Sequence, residues 1–187
     1  MNEVRIVGIA GSLRQGSFNR AALRAAQGLL PEDATLEVAE IGELPLFSQD
    51  REKPLPEPVA RFKEAIQRTQ AVLICTPEYN YSVPGVLKNA IDWASRPYGE
   101  NVWNEKPVAL MSASPGMFGG ARAQYHLRQS FVFLNMCPVN QPEVMIARAA
   151  EKFDEQGNLK DETAKKLIRQ LLQNLVGLTR RMAAGKA

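Results

Sequence analysis

The sequence predicts a three-layer α/β domain whose five-stranded parallel sheet runs in the order 2-1-3-4-5, with helices on both faces. Three observations lead there. Short β-branched runs alternate with stretches of helical periodicity along the chain, the pattern of strands joined by crossover helices. Three of the runs, at 4–10, 71–76 and 108–113, are almost uniformly apolar and belong at the centre of the sheet. The run at 35–41 is more polar and belongs at an edge, which favours this order over the other common doubly wound arrangement.

The elements follow in turn. VRIVGIA at 4–10 is a buried strand ending in Gly11. Residues 18–30 carry Ala22, Leu23, Ala26, Leu29 and Leu30 at helical spacing. TLEVAEI at 35–41 alternates as a half-buried strand does. Residues 57–69 put Val59, Phe62 and Ile66 on one side of a helix, entered through Pro54, Pro56 and Pro58. AVLICT at 71–76 is a buried strand stopped by Pro77. The helix at 84–96 carries Val86, Leu87, Ala90, Ile91 and Ala94. VALMSA at 108–113 is the fourth strand, a helix spans about 119–135, and EVMIA at 143–147 is the fifth strand. The closing helix, about 161–182, has the clearest stripe, from Ala164 through Leu171 to Leu178. Residues 48–58 and 148–160 read as polar connections, and no linker or repeat divides the chain, so 1–187 reads as a single domain.

Bulk properties narrow the function. At 187 residues, with 45% hydrophobic and 23% charged, the chain can bury one sizeable core. No apolar run approaches the roughly 18 residues of a membrane span, and the N-terminus shows no basic patch or small-residue cleavage site. Cys75 and Cys137 stand in apolar surroundings without disulfide or metal-ligand spacing. These features predict a cytoplasmic protein with no metal site. A net charge of +3 suits small anionic ligands and gives no footprint for nucleic acid or membrane. Arg180, Arg181 and Lys186 form a loose basic cluster that reads as a solvated helix end.

In an open parallel sheet, ligands bind beyond the carboxyl ends of the strands, at the point where the winding reverses. Three loops there are unusual. The first, 11–19, offers Ser12, Arg14, Ser17, Phe18 and Asn19 at a helix N-terminus, where free N–H groups and the helix dipole favour a phosphate. Gly11 and Gly16 have the gap of a Walker A loop, but Ser17-Phe18 replaces its Lys-Ser/Thr, so a monophosphate fits better than a triphosphate. The same residues also suit a plain turn capped by Ser17. The third loop, 76–85, sets Glu78, Tyr79, Asn80 and Tyr81 between Pro77 and Pro84. A rigid aromatic and polar loop of this kind suits a planar heteroaromatic ring, although a surface turn would look alike. The fourth loop, 112–120, brings Ser112, Ser114, Gly116 and Gly119, small residues that let backbone approach a ligand; an ordinary strand-to-helix turn is the alternative.

GSLRQGSFN, TPEYNYSVPGVLKNAIDWASRP and SPGMFGGARAQYHLRQ together resemble the NADPH-dependent FMN reductase family, nearest to its bacterial quinone and chromate reductases. The likeness runs in order over roughly 4–147. It implies a flavodoxin-like three-layer sandwich that binds FMN non-covalently and uses NAD(P)H as electron donor, with quinones, chromate, azo or nitroaromatic compounds or free flavin as acceptors. Ser12, Arg14, Ser17, Phe18 and Asn19 would then surround the phosphate. Pro77, Glu78, Tyr79 and Asn80 would line the ribityl chain and ring, and Ser112, Ser114, Gly116 and Gly119 would lie near its pyrimidine side. The flavin carries the chemistry, so no side chain is assigned as catalytic and ping-pong kinetics are expected. Arg96 and Tyr81 are the candidate substrate contacts, and Arg96 also reads as a helix C-terminal charge. The resemblance further implies a homodimer or homotetramer with the flavin near a subunit boundary.

Remaining groups get plainer readings. His126 reads as structural or interfacial, Cys75 as an inert buried thiol, and Arg122, Tyr125 and Glu143 either as a hydrogen-bonded network across a subunit interface or as plain surface groups. Two other functions stay in view. A flavodoxin-type electron carrier would lack its own NAD(P)H site, but such carriers are usually acidic, unlike this chain. A phosphate-ligand sensor would leave the purified protein colourless.

Overall fold

Seven consecutive residues, Val4–Ala10, form β1, and six of the seven are buried. In the computed structural model, which describes residues 3–185, β1 lies between two parallel neighbours: Ile6 pairs with Leu36 of β2 (Ala34–Val38) and with Ala71 of β3 (Ala71–Cys75). On its other side β3 meets β4 (Pro107–Ala113), with Val72 opposite Val108 and Cys75 opposite Met111. The order β2-β1-β3-β4-β5 is the one the sequence predicts. Every residue of β3 and β4 is buried, whereas β2 has one buried residue of five, as expected of an edge.

The helices divide between the two faces because strand side chains alternate. Ile6, Leu73, Cys75, Met111 and Ala113 point toward α1 (Phe18–Gln27) and α6 (Glu162–Ala184). Val7, Ile9, Val72, Ile74, Val108 and Leu110 point toward α2 (Glu57–Gln67), α3 (Gly85–Ala94) and α4 (Ala121–Leu134). Each buried Leu or Ile contributes about 1.5–3 kcal/mol relative to an exposed one, so both layers are tied to the sheet by apolar burial.

Four departures from the sequence reading have identifiable causes. The fifth strand position is filled by two pieces, β5 (Cys137–Pro138) beside Pro107 and Val108, and β6 (Val144–Ile146) beside Met111–Ala113. Pro138 and Pro142 lack the N–H that a continuous ladder needs. Helix α4 starts at Ala121, not 119, because Gly119 and Gly120 have φ of +60° and +90°. The polar connections contain a 3₁₀ turn at Gln49–Arg51 and a short helix, α5 (Ala149–Lys152), both too brief to show periodicity. At the C-terminus Arg180 pairs with Asp33 and is not simply solvated, while Lys186 lies outside the described residues. Among the described residues no helix is long and apolar enough to cross a membrane, and no three His, Cys, Asp or Glu side chains could share a metal ion.

Candidate functional site

The three unusual loops converge at the carboxyl rim of the sheet. They enclose a cavity of about 290 Å³, lined by the first loop (Ser12, Arg14, Ser17, Phe18, Asn19), the third (Pro77, Glu78, Tyr79) and the fourth (Ala113, Ser114, Pro115).

The first loop leaves β1 through Gly11, whose N–H donates to the Cys75 carbonyl at 2.8 Å. A Cβ at Gly11 would lie 3.0 Å from Leu87 and 3.2 Å from the Thr76 hydroxyl, so a larger residue would push the first loop off its neighbour. Ser17 caps α1, its Oγ accepting from the Asn19 N–H at 3.2 Å. That satisfies one of the orphan donors of the first turn and leaves others for a ligand. Arg14 is exposed, with its guanidinium 5.9 Å from the Phe18 ring centroid. It pairs with no carboxylate among the described residues. A free guanidinium beside a helix N-terminus is an anion-binding arrangement.

The third loop contains a two-residue hairpin turn in which Tyr79 and Ser82 exchange backbone hydrogen bonds of 3.1 and 3.0 Å. Asn80 and Tyr81 have φ of +50° and +66°, a backbone that tight hairpins require and that is costly for tyrosine. Glu78 reaches across to α4: Oε1 accepts from the Arg122 guanidinium at 2.7 Å, and Oε2 from the Arg122 N–H at 3.0 Å and the Ala123 N–H at 3.4 Å. Burial pushes the Glu78 carboxyl up, but Arg122 and the two backbone donors outweigh it and hold the group below the usual glutamate value. The guanidinium of Arg122 lies 3.8 Å from the Tyr81 ring centroid and 4.2 Å from that of Phe118. Third and fourth loops are thereby tied at their outer edge.

The fourth loop is braced from within. Ser112 is fully buried; its hydroxyl donates to the Gly119 carbonyl at 2.6 Å and accepts from Gln124 at 2.7 Å. A Cβ on Gly120 would come within 2.8 Å of the Ser112 Cβ, and one on Gly119 within 2.9 Å of the Met145 backbone. Ser114 and Gly116 stand at the surface, the Ser114 Oγ accepting from the Gly116 N–H at 3.1 Å. Arg148, with φ of +49°, donates its N–H to the Gly116 carbonyl at 3.1 Å. Asn19 is 2% exposed: its Nδ2 donates to the Ala113 carbonyl at 2.8 Å, and its Oδ1 accepts from the Ala113 N–H at 2.8 Å and from the Cys75 thiol at 3.4 Å.

Within this chain, Arg96 does not join these residues. It follows α3, which starts beside the third loop and runs about 15 Å away from it. There its Nε donates to Glu52 at 2.8 Å and its guanidinium stacks 3.7 Å from the Tyr98 centroid, in a separate cleft of about 410 Å³. The buried ammonium of Lys63 donates to the Arg96 carbonyl, and desolvation holds that ammonium's pKa below the lysine norm despite Glu100 and Glu52. Tyr81 sits on Arg122 and outside the cavity lining. His126, exposed on α4, has Nδ1 3.0 Å from the Ser82 hydroxyl. The Tyr125 hydroxyl donates to Glu143 at 3.1 Å, so those two meet within one chain while Arg122 turns to Glu78. Gln124 and Arg148 were not legible as site residues in the sequence, since their partners lie on other elements.

Comparison with known proteins bears on what this rim does. The profile described as NADPH-dependent FMN reductase matches residues 4–151. An NAD(P)H-dependent FMN reductase of Pseudomonas aeruginosa is 52% identical over 182 residues, covering 97% of this chain and 98% of that one. A quinone reductase of Pseudomonas putida is 50% identical over 156 residues, 83% of this chain and 84% of its own. Among solved structures, FerB, a flavoenzyme NAD(P)H:acceptor oxidoreductase of Paracoccus denitrificans, superposes with a TM-score of 0.88 at 36% identity, covering 95% and 98% of the two chains.

Proposed function

The chain belongs to the NADPH-dependent FMN reductase family, and we propose that its rim cavity holds FMN with the phosphate at the N-terminus of α1. It is an oxidoreductase that uses FMN as cofactor and NAD(P)H as electron donor. The observation that carries the placement is the meeting of three loops around one cavity, with an arginine that pairs with no carboxylate among the described residues at a helix N-terminus. The donor set fits the group: a guanidinium, two serine hydroxyls and helix N–H groups for a phosphomonoester, and beside them a small-residue, aromatic rim for a flat ring.

When bound, FMN takes two electrons from NAD(P)H and delivers them to an acceptor. The protein's own residues do the rest. Arg14 would offset the phosphate charge, and the Ser12 and Ser17 hydroxyls and the N–H groups of the first turn of α1 would donate to its oxygens. Phe18, its ring centroid 5.9 Å from the Arg14 guanidinium, would give that end of the site an apolar wall. Pro77, Tyr79 and Asn80 present a rigid wall to the ribityl chain and ring, while the Glu78 carboxylate holds α4 in place behind it. The Ser114 hydroxyl would meet the ring edge, with Gly116 beside it as the N–H that orients it; Ser112 and Gly119 set that loop from below.

Exposed Tyr79, Met117 and Phe118 around the cavity favour flat apolar acceptors, so quinones are the proposed substrate class. The name of the Pseudomonas putida relative supports the same reading. An open rim of this kind is also compatible with chromate. Exposed Tyr98, Val132 and Phe133 support a covering second copy, in a homodimer or homotetramer, with Tyr125 and Glu143 at its edge. Two free cysteines fit a reducing cytoplasm. A single flavodoxin-like unit over 1–187 completes the proposal.

The test is anaerobic mixing of FMN-loaded protein with NADPH or NADH, followed by benzoquinone. Bleaching within the enzyme's turnover time, then recolouring by the quinone, is expected. Bound FMN that neither nicotinamide bleaches would contradict the reductase and leave an electron carrier.

A further inference from the structure

We propose that Asn19 is a positioning residue whose one buried amide fixes the three rim loops relative to one another. Rather than reading the ligand itself, it sets the distance between the phosphate end of the site and the ring end. The proposal rests on the FMN reading above and adds a role for a side chain that reading places only among the cavity walls.

The geometry is that of a missing strand. The pairing of β3 with β4 ends at Cys75 opposite Met111, after which Pro77 turns the third loop away. Ala113, two residues further along β4, belongs to the same side of the strand as Met111, whose carbonyl accepts from the Thr76 N–H. The intervening Ser112 and the following Ser114 belong to the β6 side, where the Ser114 N–H donates to the Ile146 carbonyl. The N–H and carbonyl of Ala113 therefore face a gap where β3 has ended. Asn19 fills it with a primary amide that donates to one and accepts from the other, both at 2.8 Å, as the next peptide group would. The orientation of the amide follows from this: a backbone N–H can only donate, so Oδ1 faces it.

The third partner completes the link. Cys75, the last residue of β3 before the third loop, donates its thiol to the same Oδ1 at 3.4 Å. Burial pushes this thiol's pKa up, so it keeps its proton and remains a donor. One side chain at the start of α1 thus touches Cys75, the residue before the third loop, and Ala113, the last residue of β4, where the fourth loop leaves the sheet. At 2% exposure water offers no easy replacement for these bonds. A ligand that spans the first and fourth loops depends on their separation, whereas a ligand that touches one loop does not.

That difference gives the test. Apoprotein of the full chain is titrated with FMN, with inorganic phosphate and with lumiflavin, the ring lacking its ribityl phosphate. Asn19→Ala is expected to raise the FMN dissociation constant at least tenfold while each fragment's constant changes less than threefold. Cys75→Ala should show the same signature at smaller amplitude, and Cys75→Ser, which keeps a donor, should stay within twofold of the native protein. The cysteine pair carries the test if Asn19→Ala does not fold. An unaltered FMN constant would overturn the proposal, as would fragments that weaken as much as FMN, which is the mark of direct contact or general damage. Native protein that binds no FMN at all would instead remove the cofactor reading itself.

Discussion

Two clefts that each set an arginine against an aromatic ring, Arg14 near Phe18 and Arg96 on Tyr98, differ in what the arginine is free to do. In the rim cavity Arg14 stands exposed near Phe18, with no carboxylate partner among the described residues, at the N-terminus of a ten-residue helix. In the cleft at the far end of α3 and α4, Arg96 stacks on Tyr98 but is matched by Glu52, both side chains being about 13–14% exposed. The far cleft is the larger, about 410 Å³ against 290 Å³. Size therefore does not distinguish the proposed anion site. Uncompensated positive charge does, because a paired guanidinium has already spent its strongest contact and an unpaired one has not.

The largest expected effect tests the scaffold behind the rim. Gly120→Ala puts a Cβ at φ +90° and 2.8 Å from the Ser112 Cβ. Strain and overpacking together should cost roughly 2–4 kcal/mol, about 5–15 °C in Tm. A melting temperature within 2 °C of the native protein would mean the fourth loop shifts freely. Next comes the contrast between the two arginines. Arg14→Ala should lose about 1.5–3 kcal/mol of FMN binding, about ten- to a hundredfold in Kd, while Arg96→Ala should leave FMN affinity within about twofold. Equal losses in a fluorescence titration would erase the distinction between the clefts.

A pH effect comes from the wall between third and fourth loops. Glu78 titrates below its ordinary value in the folded chain. Its contribution to stability is thus fully present above the unfolded-state glutamate value of about 4.3 and is lost as pH falls through the lowered folded value. Glu78→Gln should flatten that part of the acid unfolding curve followed by circular dichroism; an identical acid limb in both proteins would show that the Arg122 contact adds nothing. The smallest effect is assigned to the periphery. Glu143→Ala removes the acceptor of the Tyr125 hydroxyl and should weaken assembly, read as a lower mass by light scattering at micromolar protein. An unchanged mass would take Tyr125 and Glu143 out of the interface.

Much of this was legible in the sequence, for a physical reason that also sets the limit. Strand order followed from composition, because central strands are apolar on both faces and the edge strand β2, with Thr35 and Glu37, is not. The first loop was legible because its chemistry is local: a serine cap, a glycine and an arginine within seven residues. Contacts between distant elements were not. Glu78 and Arg122 are 44 residues apart, and nothing in either segment says that the carboxylate caps the other's helix. Ser112 read as a loop residue, yet strand parity turns it toward Gln124 beneath the rim. A fully apolar strand hides which face each residue takes, since no alternation is left to show it. Asn19 was legible as part of the candidate site, but its bond to Ala113 depends on where β3 stops, which only the folded sheet reveals.

The proposed cofactor site holds its phosphate at the start of α1. The most direct measurement of that placement is the ratio of FMN to riboflavin affinity, taken on native apoprotein and on Arg14→Ala. Riboflavin, lacking the phosphate, is expected to bind native protein at least tenfold more weakly than FMN, and Arg14→Ala should close most of that gap by weakening FMN alone. Equal affinity for the two flavins in the native protein would contradict it.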